Sequence, residues 1–182
     1  MLGSRRILTH KRHYQPDVTL VVTDEPPDRP AWVSETIRLL AEGMDGWRAQ
    51  LLERVSRASD AQLAAGTDDD WGVGQIAVHL LLIERGVALI ALRLAKGEPP
   101  GPTGQPRPTA SAVTRDGIGR LAAKAADTMA AFAAQFPAAP DLRAVARHPY
   151  YGDLNAFGWL LTLNNHYQAH LGALARGTKS AL

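Results

Sequence analysis

Apolar residues recur at spacings of three and four along most of this chain, and that helical period is the strongest constraint on its fold. The clearest seam consists of Val33, Ile37, Leu40, Met44, Trp47, Leu51 and Val55. Three further seams predict helices over about residues 72–96, 112–136 and 153–176, the last of them ending at Gly177. Four long amphipathic helices in one chain predict an all-α four-helix bundle.

Two segments interrupt the seams. Residues 97–110 read GEPPGPTGQPRPTA, with five prolines and three glycines in fourteen residues, a composition that excludes a helix. We expect a long, semi-rigid connection there, which could carry a crossover from one end of the bundle to the other. The stretch ASDAQLAAGTDDD separates the first two helices. Its aspartates precede the second helix, whose N-terminus favours negative charge.

Length and charge divide the chain into a leader and one domain. A chain of 182 residues suffices for one domain with a sizeable core. We predict a loosely attached N-terminal arm or disordered leader over residues 1–29, with a β-prone run at 18–22, and the bundle over residues 30–182. Four positive charges precede residue 17, so the net charge of +2 leaves −2 for the remainder: Arg5, Arg6, Lys11 and Arg12.

The composition excludes several classes of function. No cysteine is present, which excludes disulfides, thiolate metal ligands and a cysteine nucleophile. No basic stripe runs along the body, so nucleic-acid binding is not expected. No stretch approaches the ~20 consecutive apolar residues that span a bilayer, and the basic start lacks the apolar run of a signal peptide. We therefore expect a cytoplasmic protein with no membrane partner.

Three histidines stand where leucines would pack in a bundle core. His166 and His170 lie four residues apart in NNHYQAHLGAL, so their Cβ atoms share one helix face about 5–6 Å apart. His79, in GQIAVHLLLIE, lies on the apolar face of the second helix. Three neutral imidazoles from two facing helices can bind Zn²⁺, Ni²⁺ or a related divalent ion and leave positions open for water or substrate. The alternative is three hydrogen-bonded core histidines.

The other histidines and carboxylates indicate simpler roles. His10 and His13 belong to the basic leader, and His148 either lines the mouth of the site or holds a loop. No glutamate directly follows His166, which excludes the H-E-x-x-H arrangement with its general base. No Glu-x-x-His pair supports a di-iron site. Glu84 lies about 140° round the helix from the second-helix histidine, so we expect an exposed carboxylate.

Two blocks of the chain resemble the DinB/YfiT-like superfamily of metal-binding four-helix bundles. DDDWGVGQIAVHLLLIERG resembles the second helix of that family, in which a tryptophan precedes a histidine. HPYYGDLNAFGWLLTLNNHYQAHLGAL resembles its C-terminal pattern of a His-Pro-x-x-Gly loop, a helical tryptophan and histidines four apart. The resemblance extends over about residues 31–176. It implies an up-down-down-up bundle, with the Pro-rich segment as crossover, and a metal triad of His79, His166 and His170.

The resemblance also implies chemistry. Characterised relatives use the metal to activate the thiol of a small cofactor such as mycothiol or bacillithiol, or to activate water, and dimerisation is common among them. The first hypothesis is therefore a metal-dependent enzyme that transfers a low-molecular-weight thiol to an electrophilic small molecule. The alternatives are a hydrolase that uses metal-bound water and a non-catalytic, stress-associated metal-binding bundle. The mycothiol-dependent isomerase branch usually has glutamate where this chain has His166, which sets the chain apart from that branch.

Four residues near the expected site are candidates for handling substrate. Asn155, Gln75 and Tyr151 are polar groups that could orient the nucleophile, and Trp159 could form a wall for the cofactor. Polar residues near the end of a bundle are more often helix caps or surface groups, which is the alternative for these three. Thr162 lies on nearly the same helix face as the histidine pair.

Overall fold

The computed structural model of the protein describes residues 29–110 and 113–176. Residues 1–28 of the predicted arm, including its β-prone run, His10 and His13, lie outside these described residues, as does the expected helix stop at Gly177.

Four long helices build the domain, which confirms the predicted bundle. In chain order they are α1 (Ala31–Arg57), α3 (Val73–Ala95), α4 (Arg115–Gln135) and α5 (Ala156–Arg176). The sequence does not predict two short elements. They are a single helical turn, α2 (Asp60–Leu63), and an antiparallel hairpin of β1 (Ala146–His148) and β2 (Gly152–Leu154). Both are too short to show a hydrophobic period.

Contacts between helix ends confirm the up-down-down-up order. Arg115, at the start of α4, donates to the carbonyl of Val55 at the end of α1, at 2.8 Å. The loop after α4 returns to the end of α3, because Asp141 N–H donates to the Ala95 carbonyl at 2.8 Å. Phe157, at the start of α5, contacts Trp32 at the start of α1. Helices α3 and α4 therefore run parallel, and the Pro-rich segment crosses back along the bundle between them.

Helix α3 is the central helix. Its length of 23 residues and the mean hydropathy of 1.7 of its most apolar window would suit a membrane span, but 61% of that window is buried inside the bundle. It packs against α4 and α5 along its length and also contacts α1. Burial of several faces accounts for its apolar composition, as expected of a core helix.

The hairpin of β1 and β2 packs beside α5. His148 pairs with Gly152 in the register, and Gly152 takes a positive φ of 80° that favours glycine. The indole N–H of Trp159 donates to the Ala146 carbonyl at 3.2 Å, which ties β1 to α5. The hairpin thus holds His148 against the face of α5 that carries the histidine pair.

A charged network lies buried where α1, α3 and α5 meet, and it overturns the expectation for Glu84. The Glu84 carboxylate is fully buried, accepts a hydrogen bond from Tyr167 Oη at 2.6 Å, and forms an ion pair with Arg48. Arg48 reaches outward to Asp45 at 2.6 Å. The position of Glu84, about 140° round α3 from the histidine face, predicts a side chain that points to solvent. That expectation was wrong because α3 is central, and its second face packs on α1 and α5.

Removing one member of this network should be far more damaging than removing all of it. We expect Glu84→Leu to lower the free energy of unfolding by about 3–5 kcal/mol, because Arg48 is left as an uncompensated buried charge. The triple variant Arg48→Met, Glu84→Leu, Tyr167→Phe should recover most of that loss. Chemical denaturation measures both.

The matched control for this prediction is the exposed pair of Glu53 and Arg57. Glu53→Leu removes an equivalent carboxylate from a solvated i, i+4 pair, and such pairs contribute about 1 kcal/mol or less. A Glu84→Leu loss no larger than the Glu53→Leu loss would contradict the prediction.

Candidate metal centre

Three imidazoles converge in the bundle interior. His79 comes from α3, and His166 and His170 from successive turns of α5; one nitrogen from each lies within 4.8 Å of the other two. The Nε2 atoms of His79 and His166 are 2.9 Å apart. Two nitrogens bound to one tetrahedral zinc ion at about 2.0–2.1 Å each lie about 3.4 Å apart. The separations within the cluster therefore need to change by no more than about 1.5 Å for the three rings to share one ion.

A backbone carbonyl sets the tautomer of His79. Its Nδ1–H donates to the Pro106 carbonyl at 2.8 Å, so in the neutral ring the lone pair is on Nε2, the atom that faces His166. Orientation of a metal-binding imidazole by a hydrogen bond to its other nitrogen is a general feature of such sites. His79 is therefore oriented as a ligand.

Burial keeps the cluster neutral. His79 is 0% exposed and His170 is 4% exposed. Burial, together with repulsion from the neighbouring imidazoles, lowers the pKa of His166 to about 3 and that of His170 to about 4, and burial also lowers the pKa of His79. Neutral imidazoles are the protonation state that binds metal. A set of three nitrogens suits zinc, nickel and related ions, whereas calcium and magnesium prefer oxygen.

The Pro-rich crossover forms one wall of the centre, a role that the sequence reading missed. Beyond the bond from His79 to Pro106, Gln75 Nε2 donates to the Pro108 carbonyl at 3.0 Å. The Trp71 ring packs edge-on against His79, with centroids 4.8 Å apart, and the Arg107 guanidinium lies 5.9 Å from the Trp71 ring centroid. The crossover is thus attached to the start of α3 at three successive residues.

The three candidate polar residues fall in different places. Gln75 is fully buried; it donates to the carbonyls of Thr67 and Pro108 and accepts from Gly72 N–H, so it holds loops together. The Asn155 side-chain oxygen accepts from Gly158 N–H at 3.0 Å and caps α5. Tyr151 is 54% exposed and lines a cavity beside the histidine pair.

His148, Trp159 and Thr162 lie together at the entrance to the centre. His148 is 9% exposed, and its ring packs on Trp159 with centroids 4.8 Å apart. Its Nδ1 accepts from Tyr150 N–H at 3.2 Å, so the neutral ring carries its proton on Nε2. Thr162 donates to the Trp159 carbonyl at 2.7 Å.

Two cavities share this entrance. One, of about 500 Å³, lies between α3, the crossover and α5, and is bordered by Trp159. The other, of about 580 Å³, lies towards the hairpin and is bordered by Tyr151, Asn165 and His170. Three residues line both: His148, Thr162 and His166. A small molecule in either cavity would therefore lie beside a candidate metal ligand.

Comparisons with known proteins agree with this architecture. The chain matches the DinB superfamily over residues 44–174. It is also similar to a solved structure, TT2238, described as a four-helix bundle protein, with a TM-score of 0.58 and 23% sequence identity over 77% of this chain and 98% of that chain. Likeness at that identity establishes the fold alone. No curated protein matches the chain.

Metal content tests the triad directly. We expect about one equivalent of a divalent ion in the purified protein or after reconstitution with zinc or nickel. His79→Ala, His166→Ala and His170→Ala should each lose it because two imidazoles remain, while the bundle stays helical. His148→Ala is the matched control and should keep its metal. Full stoichiometry in the triad variants, measured by elemental analysis, would refute the assignment.

Acid should destabilise the metal-free protein through these histidines. In the unfolded chain they take up protons near pH 6.5, whereas in the fold His166 and His170 do so only near pH 3 and 4. Between those values the unfolded state binds more protons, so stability falls as pH falls from about 6.5 towards 4. The limit is about 1.4 kcal/mol per pH unit for each histidine.

The double variant His166→Gln, His170→Gln isolates this effect from the titration of carboxylates. Chemical denaturation of the metal-free proteins between pH 7 and pH 4.5 should give a shallower dependence of unfolding free energy on pH for the variant. Identical slopes would show that these two histidines are not held neutral by the fold.

Proposed function

The chain belongs to the DinB superfamily, and on that premise we propose that it is a metal-dependent enzyme that transfers a low-molecular-weight thiol to an electrophilic small molecule. The convergence of His79, His166 and His170 beside two cavities is the observation that supports the proposal. These residues would hold a divalent ion, zinc or nickel. When bound, the ion supplies positive charge that lowers the pKa of a thiol or of water.

The lack of a carboxylate among the described residues that line the two cavities favours a thiol over water as the nucleophile. Within the part of the chain that the structure describes, no carboxylate lines either cavity. Glu84, on the same helix as His79, is already bonded to Arg48 and Tyr167. Hydrolysis usually needs a positioned base, whereas a thiol is an intrinsically strong nucleophile once deprotonated. The three-histidine centre therefore suits the transfer of a thiol better than it suits hydrolysis.

The residues at the entrance supply polar contacts for the two reactants. His148 carries its proton on Nε2 and is a hydrogen-bond donor there. Thr162 donates to a backbone carbonyl, which leaves its oxygen as an acceptor, and Tyr151 contributes an exposed hydroxyl at the rim. In the proposed reaction the sulphur electron pair forms a C–S bond. The bond from carbon to the leaving group breaks with its own pair, and the thiol proton departs with that group.

Three broader expectations accompany the proposal. A homodimer is expected from the resemblance, and light scattering on the purified protein would measure it. The expected thiol is mycothiol or bacillithiol, the class that relatives use. The expected location is the cytoplasm, where such thiols are available. These stay predictions for this chain.

Thiol consumption tests the proposed reaction. Zinc- or nickel-loaded protein is incubated with mycothiol and a neutral aryl chloride, and thioether formation is followed by absorbance and mass spectrometry. We expect catalysis that falls by more than about 100-fold in His170→Ala, since loss of an outer partner of a metal ligand alone costs about 10–100-fold.

The alternatives give different results in the same assay. Ester or amide cleavage that needs the metal but no thiol would indicate the hydrolase. Stoichiometric metal with neither reaction, across a panel of thiols and esters, would indicate a metal-binding bundle without turnover. His148→Ala separates metal binding from handling of the reactants, because it should keep the metal and lose rate.

A further inference from the structure

The cavity between α3, the crossover and α5 has walls of uncharged groups. Its α3 side is aliphatic, its opposite side is the crossover segment 102–106, and His166, Trp159 and Thr162 of α5 also line it. The α3 residues are Leu82, Ile83, Gly86, Val87 and Ile90. About 500 Å³ of space lies between these walls, and that space is partly open to solvent.

No described residue that lines this cavity carries a carboxylate, an ammonium or a guanidinium group. Moving a charged group from water into such surroundings without a partner costs several kcal/mol. The walls therefore select against ionised ligands.

Gly86 is the one residue whose presence in this wall runs against helix stability. It lies in the interior of α3, where glycine is about 1 kcal/mol less favourable than alanine. A Cβ added at Gly86 would meet no atom within 4 Å, whereas a Cβ at Gly74 of the same helix would lie 2.1 Å from the Leu63 carbonyl oxygen. Packing thus requires glycine at 74 but not at 86.

The space beside Gly86 is the cavity itself. Gly86 also borders an outer depression, shared with Ile90 and Pro102, that continues towards Leu89 and Arg93. It therefore borders both cavities, and a side chain there would take up space between them.

We propose that this cavity binds an uncharged, largely apolar electrophile, and that Gly86 is a specificity-determining residue that keeps the space beside it open. The proposal rests on the proposed function for the identity of the ligand as the electrophile. The binding of an uncharged ligand, and its dependence on Gly86, rest on the cavity alone. A small, neutral, largely apolar molecule is the class of ligand that the walls accept.

Binding of two probes that share a 4-nitrophenyl group but differ in charge tests the proposal on the zinc-loaded protein. 4-Nitrobenzyl alcohol is neutral and 4-nitrobenzenesulfonate is an anion, and calorimetry measures both. We expect the alcohol to bind at least tenfold more tightly, although any attraction to the cation would favour the sulfonate. Equal or tighter binding of the sulfonate would overturn the proposal that the cavity binds uncharged ligands.

Gly86→Leu tests the role of Gly86, with Gly119→Leu as its control. Both glycines lie inside long helices and have open space at the Cβ position, but Gly119 lies on the exposed face of α4. Leucine is a good helix former, so neither variant should lose thermal stability. We expect Gly86→Leu to weaken alcohol binding at least tenfold with unchanged zinc content, and Gly119→Leu to leave it unchanged.

Unchanged alcohol binding in Gly86→Leu would overturn the role of Gly86. If that variant fails to fold, Gly86→Ala replaces it, with a smaller loss of binding expected and wild-type affinity as the contradicting result. Because these measurements need no turnover, probe selectivity without thiol transfer would refute the proposed reaction alone. Thiol transfer without probe selectivity would refute the cavity proposal alone.

Discussion

The desolvation of three imidazoles is the constraint on which the site depends. An unpartnered polar group in a bundle core costs free energy that leucine at the same position would not. His79 meets this requirement with both ring nitrogens, one towards Pro106 and one towards His166. Burial keeps the rings uncharged, and a divalent ion would satisfy the inward-facing nitrogens together. Polar groups in an otherwise apolar core are characteristic of functional sites, where residues needed for binding or catalysis lower the stability of the fold.

Parallel packing of α3 and α4 explains why the Pro-rich segment comes to the site at all. Two parallel neighbours need a connection that returns along the full length of the bundle. A segment rich in proline has few N–H donors to satisfy, yet every residue keeps its carbonyl. It can therefore lie against α3 and present acceptors, as Pro106 does to His79 and Pro108 does to Gln75. The Pro-rich composition that excludes a helix therefore suits this segment to form one wall of the metal centre.

Periodicity was sufficient to predict the four helices, and histidines out of place in apolar seams were sufficient to find the cluster. Both follow from local rules that a sequence displays directly. The roles of Gln75 and Glu84 depend instead on what packs against each face of α3, which no single helix reveals. Gln75 lies among loop carbonyls, and Glu84 faces α1 and α5 because α3 is central. The hairpin that positions His148 has strands of three residues, too short for any period to show.

The buried network and the metal centre are linked through adjacent residues of α5. His166 faces His79 of α3. The next residue of α5, Tyr167, donates to Glu84, which also belongs to α3. A rotation of α5 by about 20° would move an atom about 5–6 Å from its axis by roughly 2 Å. That displacement would break the Tyr167 bond, and it far exceeds the tolerance of about 0.2 Å in metal–ligand distances. The bond to Glu84 therefore restricts the rotation of α5 to the setting in which His166 and His170 meet His79.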